Sequence, residues 1–308
     1  MKHQIAGSPM GGLRWTSKSI RKIANELARQ GIRISANCVA KLLKDMDFSL
    51  RMNRKWIESA TKITAEDRDG QFQYISNQRE EFADKGDPTI SVDTKKKELI
   101  GNFKNNGRSW ERTEVRVNDH DFRSQADGLA VPYGVYDVRA NTGCVTVGTS
   151  RDTAALAVDA IETWWLREGK KHYSGARKLL ILADCGGSNG PRLRAWKWRL
   201  QQQLCNRLGL TVTVCHYPPG TSKYNPIEHR LFSEISKNWA AQPLLSFERV
   251  VKFIRATRTA TGLKVRAYLN RKDYPTGESI SKAQMRELHL TLHEKHPQWN
   301  YTLQPIKM

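Results

Sequence analysis

Long apolar runs are what this chain most lacks: no stretch approaches the roughly 18 apolar residues needed to span a bilayer. The leading MKHQIAGSPMGGLRW also has no hydrophobic core of the kind a secretory signal carries. These absences exclude a spanning protein and predict a soluble, cytoplasmic chain with no membrane partner. Cysteine is scarce as well. The five copies, Cys38, Cys144, Cys185, Cys205 and Cys215, contain no C-x-x-C pair and are odd in number, which argues against a disulfide framework and against a thiolate zinc site. Reduced, buried thiols are expected instead. Acidic residues are also outnumbered: 31 Asp plus Glu face 51 Lys plus Arg, for a net charge of +20. Spread along 308 residues and not confined to a tail, that excess favours a polyanionic partner, nucleic acid before others. A basic chain that is merely soluble is the plain alternative.

Helical periodicity opens the chain. Ile20, Ile23, Ala24 and Leu27 recur at helical spacing, with Thr16 or Ser17 available as N-cap and Gly31 as the stop. Ser35 can cap a second helix over 36–46, to which Val39, Leu42, Leu43 and Met46 give one apolar face. Helix, turn, helix is the outline of a DNA-reading pair, whose second helix would offer Asn37, Lys41 and Lys44 to a duplex. An ordinary helical hairpin fits the same pattern. The run RMNRKW, with Arg51 and Arg54, suits a phosphate backbone or a solvated loop equally. A polar helix over about 65–84, stopped by Lys85-Gly86-Asp87-Pro88, marks the main boundary. The expected divisions are therefore a helix-turn-helix region at 1–56, a helical linker at 57–88, an α/β domain at 89–245 and a helical extension at 246–308.

From residue 89 the period becomes that of a sheet. TISVDT and KELIGNF read as consecutive antiparallel strands, and YGVYDV, RANTG and CVTVGT as a hairpin. A wide apolar stripe makes 152–168 a helix. KLLILAD is apolar on both faces, as a covered central strand would be. Early antiparallel strands followed by β-α alternation predict a mixed α/β sheet flanked by helices. SKAQMRELHLTLHEKH is read as helical, which would align His289, His293 and His296 on one face; no acid stands in the H-E-x-x-H position, so zinc is disfavoured.

Three acids stand out in this basic chain. Asp93 and Asp184 each end an apolar run, and Glu228 opens a helix after Pro218-Pro219-Gly220. Neighbouring strands lie roughly 4.8 Å apart, so two strand ends and a helix start can bring the three together. Carboxylates about 5 Å apart repel by roughly 3 kcal/mol per pair at an effective dielectric near 20, and a divalent cation resolves that repulsion. Oxygen-only ligands favour Mg²⁺ or Mn²⁺, and two such ions suit in-line displacement at phosphorus. Lys95, Lys96, Arg192, Arg194 and Lys223 surround the acids in the sequence and would hold a DNA strand. Taken singly, an Asp at a strand end is a turn-former and a Glu near a helix start answers the helix dipole. His216 and His229 flank the third acid, with core or surface roles as good a reading as ligand roles.

SVDTKKKELIGNFKNNG, VPYGVYDV, GTSRDTAALAVDAIETWW, LLILADCGGSNGPR, VCHYPPGTSKYNPIEHRLFS and TGLKVRAYL together resemble the Rhodopirellula-type DDE transposase family of bacterial insertion sequences, itself similar to the Tc/mariner-like superfamily. The resemblance implies an RNase H-like catalytic domain with a five-stranded mixed sheet, and places Asp93, Asp184 and Glu228 on the family's metal-binding acids. It further implies Mg²⁺ or Mn²⁺, two ions, as cofactor; double-stranded DNA as partner, both terminal inverted repeats and target; a homo-oligomer in the active complex; and a nucleoid location. A catalytically inactive, DNA-binding remnant and an RNase H-like nuclease are the rival functions. The family carries further sequence upstream of the helix pair, so the chain reads as an N-terminally shortened copy.

Overall fold

The structure, a computed structural model, describes residues 6–7, 14–15, 18–50 and 63–306. Arg51 and Arg54 lie outside the described residues. The chain divides into two compact units, Met1–Glu58 and Ser59–Met308.

In the smaller unit, two-residue strands β1 (Ala6–Gly7) and β2 (Arg14–Trp15) pair antiparallel. Helices α1 (Ile20–Arg29) and α2 (Ala36–Asp45) follow. Ser19, not Thr16 or Ser17, caps α1, accepting from the Lys22 amide at 3.3 Å; only the residue directly before the first turn can reach that third amide. Gly31 leaves the helix at φ +83°, as a left-handed stop does, and Ser35 caps α2 through the Cys38 amide at 3.1 Å. Ile23, Ala24 and Val39 are buried, with Ile20, Leu27, Ile34 and Leu43 packed against them. Leu42 and Met46, expected on the inner face, are 48% and 65% exposed, because a core this small covers a single stripe of α2. Cys38 is exposed too, against the expectation of buried thiols, whereas Cys144, Cys205 and Cys215 are buried.

The larger unit begins with α3 (Ala65–Asp84), opened by a Thr64–Asp67 capping box. Its Ile75 and Phe82 bury against Leu180, Leu182 and Tyr217, so the helix packs on the sheet. That sheet comprises β3 (Thr89–Thr94), β4 (Glu98–Ile100), β5 (Gly128–Asp137), β6 (Thr142–Gly148), β7 (Lys178–Ala183), β8 (Thr211–His216), β9 (Lys264–Asn270), β10 (Leu290–Leu292) and β11 (Asn300–Leu303). The order is β10-β11-β8-β7-β3-β5-β6-β9, with β4 attached to β5. At its centre β8, β7, β3, β5 and β6 run with β5 antiparallel to β3 and β6, while β7 is parallel to both β3 and β8. Numbered along the chain, these five strands are ordered 3-2-1-4-5 with only the second reversed, which is the RNase H-like arrangement.

Helices cover both faces. On one lies α4 (Ala154–Trp164), which continues through a π turn (Trp165–Gly169) into α5 (Lys170–His172), and α6 (Arg194–Arg199), which runs into a π stretch (Leu200–Arg207). Leu156, Ile161, Trp164, Trp196 and Leu200 fill this core with Val92, Tyr133, Leu179 and Ile181. On the other face α7 (Ser233–Asn238), preceded by a π turn (Glu228–Phe232), and α8 (Phe247–Ala256) bring Leu231, Ile235, Trp239 and Ile254 onto Tyr136, Val145 and Val147. Short α9 (Lys282–Arg286) lies before β10.

Three expectations change. The sheet has nine strands among the described residues, not five, because β4 joins β5 and the segment after 246 adds β9, β10 and β11 to its edges and is not purely helical. KELIGNF does not pair with β3: β5 takes that edge, and β4 pairs with the far end of β5, Glu98 opposite Ala130. The histidine-bearing helix stops at Arg286. Beyond it Leu290 and Leu292 alternate at the strand period in β10, so His289, His293 and His296 share no helix face. His293 instead contacts the Tyr74 hydroxyl at 2.6 Å and Thr302 Oγ1 at 2.8 Å.

Candidate active site

The ends of β3 and β7 are adjacent because the two strands pair in parallel, Ser91 beside Leu182. Asp93 is the next-to-last residue of β3, opposite Gly134 of β5, and Asp184 follows the last residue of β7. The third acid needs a helix brought close to this edge. Ser91 supplies the anchor: its hydroxyl donates to Asn225 Oδ1 and accepts from the Ile227 amide at 3.0 Å, while Asn225 Nδ2 donates to the Val92 carbonyl at 3.2 Å. Asn225 and Ser91 are fully buried, so none of these bonds competes with water. Gly134 completes the fit. A Cβ there would stand 2.6 Å from Phe232 and 2.8 Å from Ile227, so the missing side chain is what lets the Glu228 helix lie on the strand.

Glu228 is thereby placed beside Asp93, and each carboxyl acts on the other. Burial pushes Asp93 up to about 8, reinforced by the charges of Asp184, Glu228 and Asp152 and opposed by the Thr94 amide, which donates to Asp93 Oδ1 at 2.7 Å. Burial raises Asp184 as well, against the bonds its Oδ1 accepts from the Gly186 amide at 3.1 Å and Asn189 Nδ2 at 3.2 Å. Glu228 is raised by burial and then by Asp184. Carboxyl groups held together against both desolvation and like charge store unfavourable energy that protons or a cation release. The structure therefore unites all three acids read from the sequence.

The strand end under Asp184 is braced from below. Trp196 Nε1 donates to the Tyr301 hydroxyl at 2.9 Å, that hydroxyl meets His216 Nε2 at 3.4 Å, and His216 Nδ1 meets the Asp184 carbonyl oxygen at 2.8 Å. His216 is fully buried and pushed down to about 4 by that burial; it is a neutral brace and not a ligand. His229 is exposed and contacts the Lys223 carbonyl.

The basic residues divide. Lys96, Arg192, Arg194 and Lys223 are exposed. Arg194 also donates to the Ile280 carbonyl at 3.2 Å, and Lys223 lies 4.9 Å over the Tyr224 ring. Lys95 turns inward: it pairs with Glu98 at 3.0 Å and stacks 4.5 Å over Trp239, and burial holds its ammonium below the usual range. It sits among the inner walls of the site and not on a DNA-facing surface. On α2, Asn37, Lys41 and Lys44 are all exposed.

Two clefts adjoin the acids. One, of about 760 Å³, is lined by Asp184, Gly186, Arg192, Leu193, Pro219 and Trp299, among others. The other, of about 320 Å³, is lined by Lys96, Asn105, Glu228, Ser233 and Trp239, among others. Several groups here escape a reading by sequence pattern. Asn189, Asn225, Ser91, Tyr133 and Asp152 all stand inside quoted motifs, and that was their only signal.

The donors suit a hard divalent cation. They are carboxylate oxygens, His216 is committed to backbone, and the Cys185 thiol, pushed up to about 12 by burial and by Asp184, donates to the Tyr217 carbonyl. Among the described residues no three His, Cys, Asp or Glu side chains form a ready-made cage.

An RNase H-like sheet with acids at two adjacent strand ends and on a facing helix defines the general class. Residues 1–305 match the family model described as "Rhodopirellula transposase DDE domain", and the chain belongs to that family. No curated protein matches the chain. Among solved structures it is similar to the Mos1 transposase paired-end complex with left transposon end, at 15% identity and TM-score 0.45, covering 77% of this chain and 66% of that one. It is also similar to the Mos1 strand transfer complex, at 14% identity and TM-score 0.45, covering 77% and 65%. For the mariner Mos1 paired-end complex with Mg the figures are 14%, 0.45, 77% and 66%. The chain thus spans slightly less than two thirds of the Mos1 chains it matches.

Proposed function

We propose that the chain is a metal-dependent DNA transposase that cleaves at the ends of its element and joins the freed 3′-hydroxyl to target DNA. The observation that carries this reading is the convergence of Asp93, Asp184 and Glu228 from three separate elements, with burial raising all three and the charge of Asp184 adding to the rise of Asp93 and Glu228. Two Mg²⁺ or Mn²⁺ ions bound there would supply Lewis-acid activation of the attacking oxygen and stabilise the departing one. Asp93 and Asp184 would hold both ions and Glu228 would complete the second site. Asp184 keeps its orientation through Gly186 and Asn189, and Glu228 through the Ser91–Asn225 anchor. Arg192 and Lys223, exposed beside the acids, bind the scissile strand's phosphates, and Lys96 those on the Glu228 side. With no buried Ser or Tyr nucleophile required, water or a 3′-hydroxyl attacks directly.

Helices α1 and α2 are assigned to reading the terminal inverted repeats, with Asn37, Lys41 and Lys44 facing the duplex. Residues 1–56 would then be the DNA-reading region, 89–245 the catalytic core, and the active complex a homo-oligomer gathering two ends. Incubating the purified chain with end-bearing duplexes and Mg²⁺ or Mn²⁺ tests the reading. Cleaved ends and joined products are expected, lost in Asp184→Ala with DNA binding retained. Shifted but uncut DNA, or nicking indifferent to the ends, would overturn it in favour of a remnant or a plain nuclease.

A further inference from the structure

A fourth carboxylate reaches the same edge from the opposite face of the sheet. Asp152 precedes the Thr153 cap of α4 and its side chain is only 12% exposed. It acts on the charge of both Asp93 and Asp184. Its Oδ1 accepts from the Thr94 hydroxyl at 3.0 Å, and that hydroxyl lies 3.4 Å from Ser188 Oγ in the loop after Asp184. Thr94 thus ties Asp152 to the strand end of the first acid and to the loop of the second. The other oxygen, Oδ2, meets Lys97 Nζ at 3.3 Å, and Lys97 is 45% exposed.

A second observation points inward to the same spot. The Tyr133 hydroxyl is wholly buried and has no hydrogen-bond partner among the described residues, yet it feels the charges of Asp93, Asp152 and Asp184 together. A buried hydroxyl is rarely left unsatisfied, and this one is surrounded by acids that must rotate to grip a cation. We infer that Asp152 is a fourth ligating carboxylate of the centre, sharing a divalent cation with Asp93 and Asp184 on the α4 side, while Lys97 occupies the cation's place until one binds. Two divalent ions carry four positive charges, and four carboxylates match them before any phosphate arrives. When the acids turn inward, Tyr133 gains the acceptor it lacks. The Lys97 pair is half-exposed, hence weak and easily exchanged, and leaves Asp152 free to turn. This inference rests on the catalytic reading above.

Mn²⁺ titration of the full-length chain by calorimetry, with bound ions counted by electron paramagnetic resonance, tests it without DNA or turnover. Wild type should bind two ions. Asp152→Asn, which keeps an acceptor for Thr94, should lose one ion or weaken it by about tenfold or more. Lys97→Ala should tighten the same ion by roughly threefold, the reach of a half-exposed pair. If Asp152→Asn and Lys97→Ala both bind Mn²⁺ as wild type does while Asp184→Asn loses it, Asp152 is no ligand and the three-acid centre stands. If wild type binds no Mn²⁺, or Asp184→Asn binds it unchanged, the centre itself is wrong and Asp152 falls with it.

Discussion

Replacing a residue whose charge is a burden separates stability from function. Asp184→Asn removes one of the mutually repelling carboxylates while keeping an acceptor for Gly186 and Asn189. In chelator the variant should melt higher than wild type, by a few degrees for the about 1 kcal/mol that a relieved like-charge contact gives in a chain of this size. Mn²⁺ should raise the melting temperature of wild type and leave the variant unmoved; a variant destabilised in chelator would show the acids are not in conflict. Tyr133→Phe tests the unpartnered hydroxyl in the same assay. With no bond to lose, it should unfold within about 0.5 kcal/mol of wild type, yet lose part of the Mn²⁺ shift. The three acids were legible because each stands alone at the end of an apolar run or at a helix start. Asp152 was not, since an acid before a helix is explained locally by the helix dipole, and only the fold brings Thr94 and Asp184 to it.

At the scale of elements, the site depends on how closely one helix lies on one strand. Gly134→Ala would place a methyl within 2.6 Å of Phe232, and overpacking of this kind costs about 1–3 kcal/mol. The Glu228 helix is anchored separately by Ser91 and Asn225, so the fold should survive while Glu228 is displaced from Asp93. Cleavage should therefore fall by more than the loss of stability explains, measured as rate per folded molecule; a variant that cuts normally would show that Glu228 tolerates that movement. Strand and helix identities were readable wherever period and caps agreed, as in KLLILAD and the Ser35-capped helix. They failed where pairing decided the outcome. KELIGNF sits next to β3 in sequence but on β5 in space, and the Leu290–Leu292 alternation is too short to outweigh the helical text before it until β11 offers an edge.

Across the whole molecule the proposed function makes the net charge of +20 the source of DNA affinity, and assigns sequence reading to the unit that ends at Glu58. Backbone contacts release counterions and base contacts do not. If the exposed cations Arg192, Arg194, Lys223 and Lys96 track phosphates on the larger unit, and α2 adds its own, affinity for any duplex should drop about 10³-fold or more between 50 and 200 mM salt. The two units should then respond differently to truncation. Residues 59–308 carry the sheet, all three of its apolar clusters and all four carboxylates, so that fragment should fold and bind Mn²⁺ as the full chain does. Its DNA binding should keep a steep salt slope but lose preference for element ends over random duplex, measured as the ratio of the two affinities at one salt concentration. Retained preference would move end recognition away from Asn37, Lys41 and Lys44 and onto the catalytic unit, whereas a salt-insensitive fragment would mean that the positive surface beside the acids does not touch the phosphate backbone.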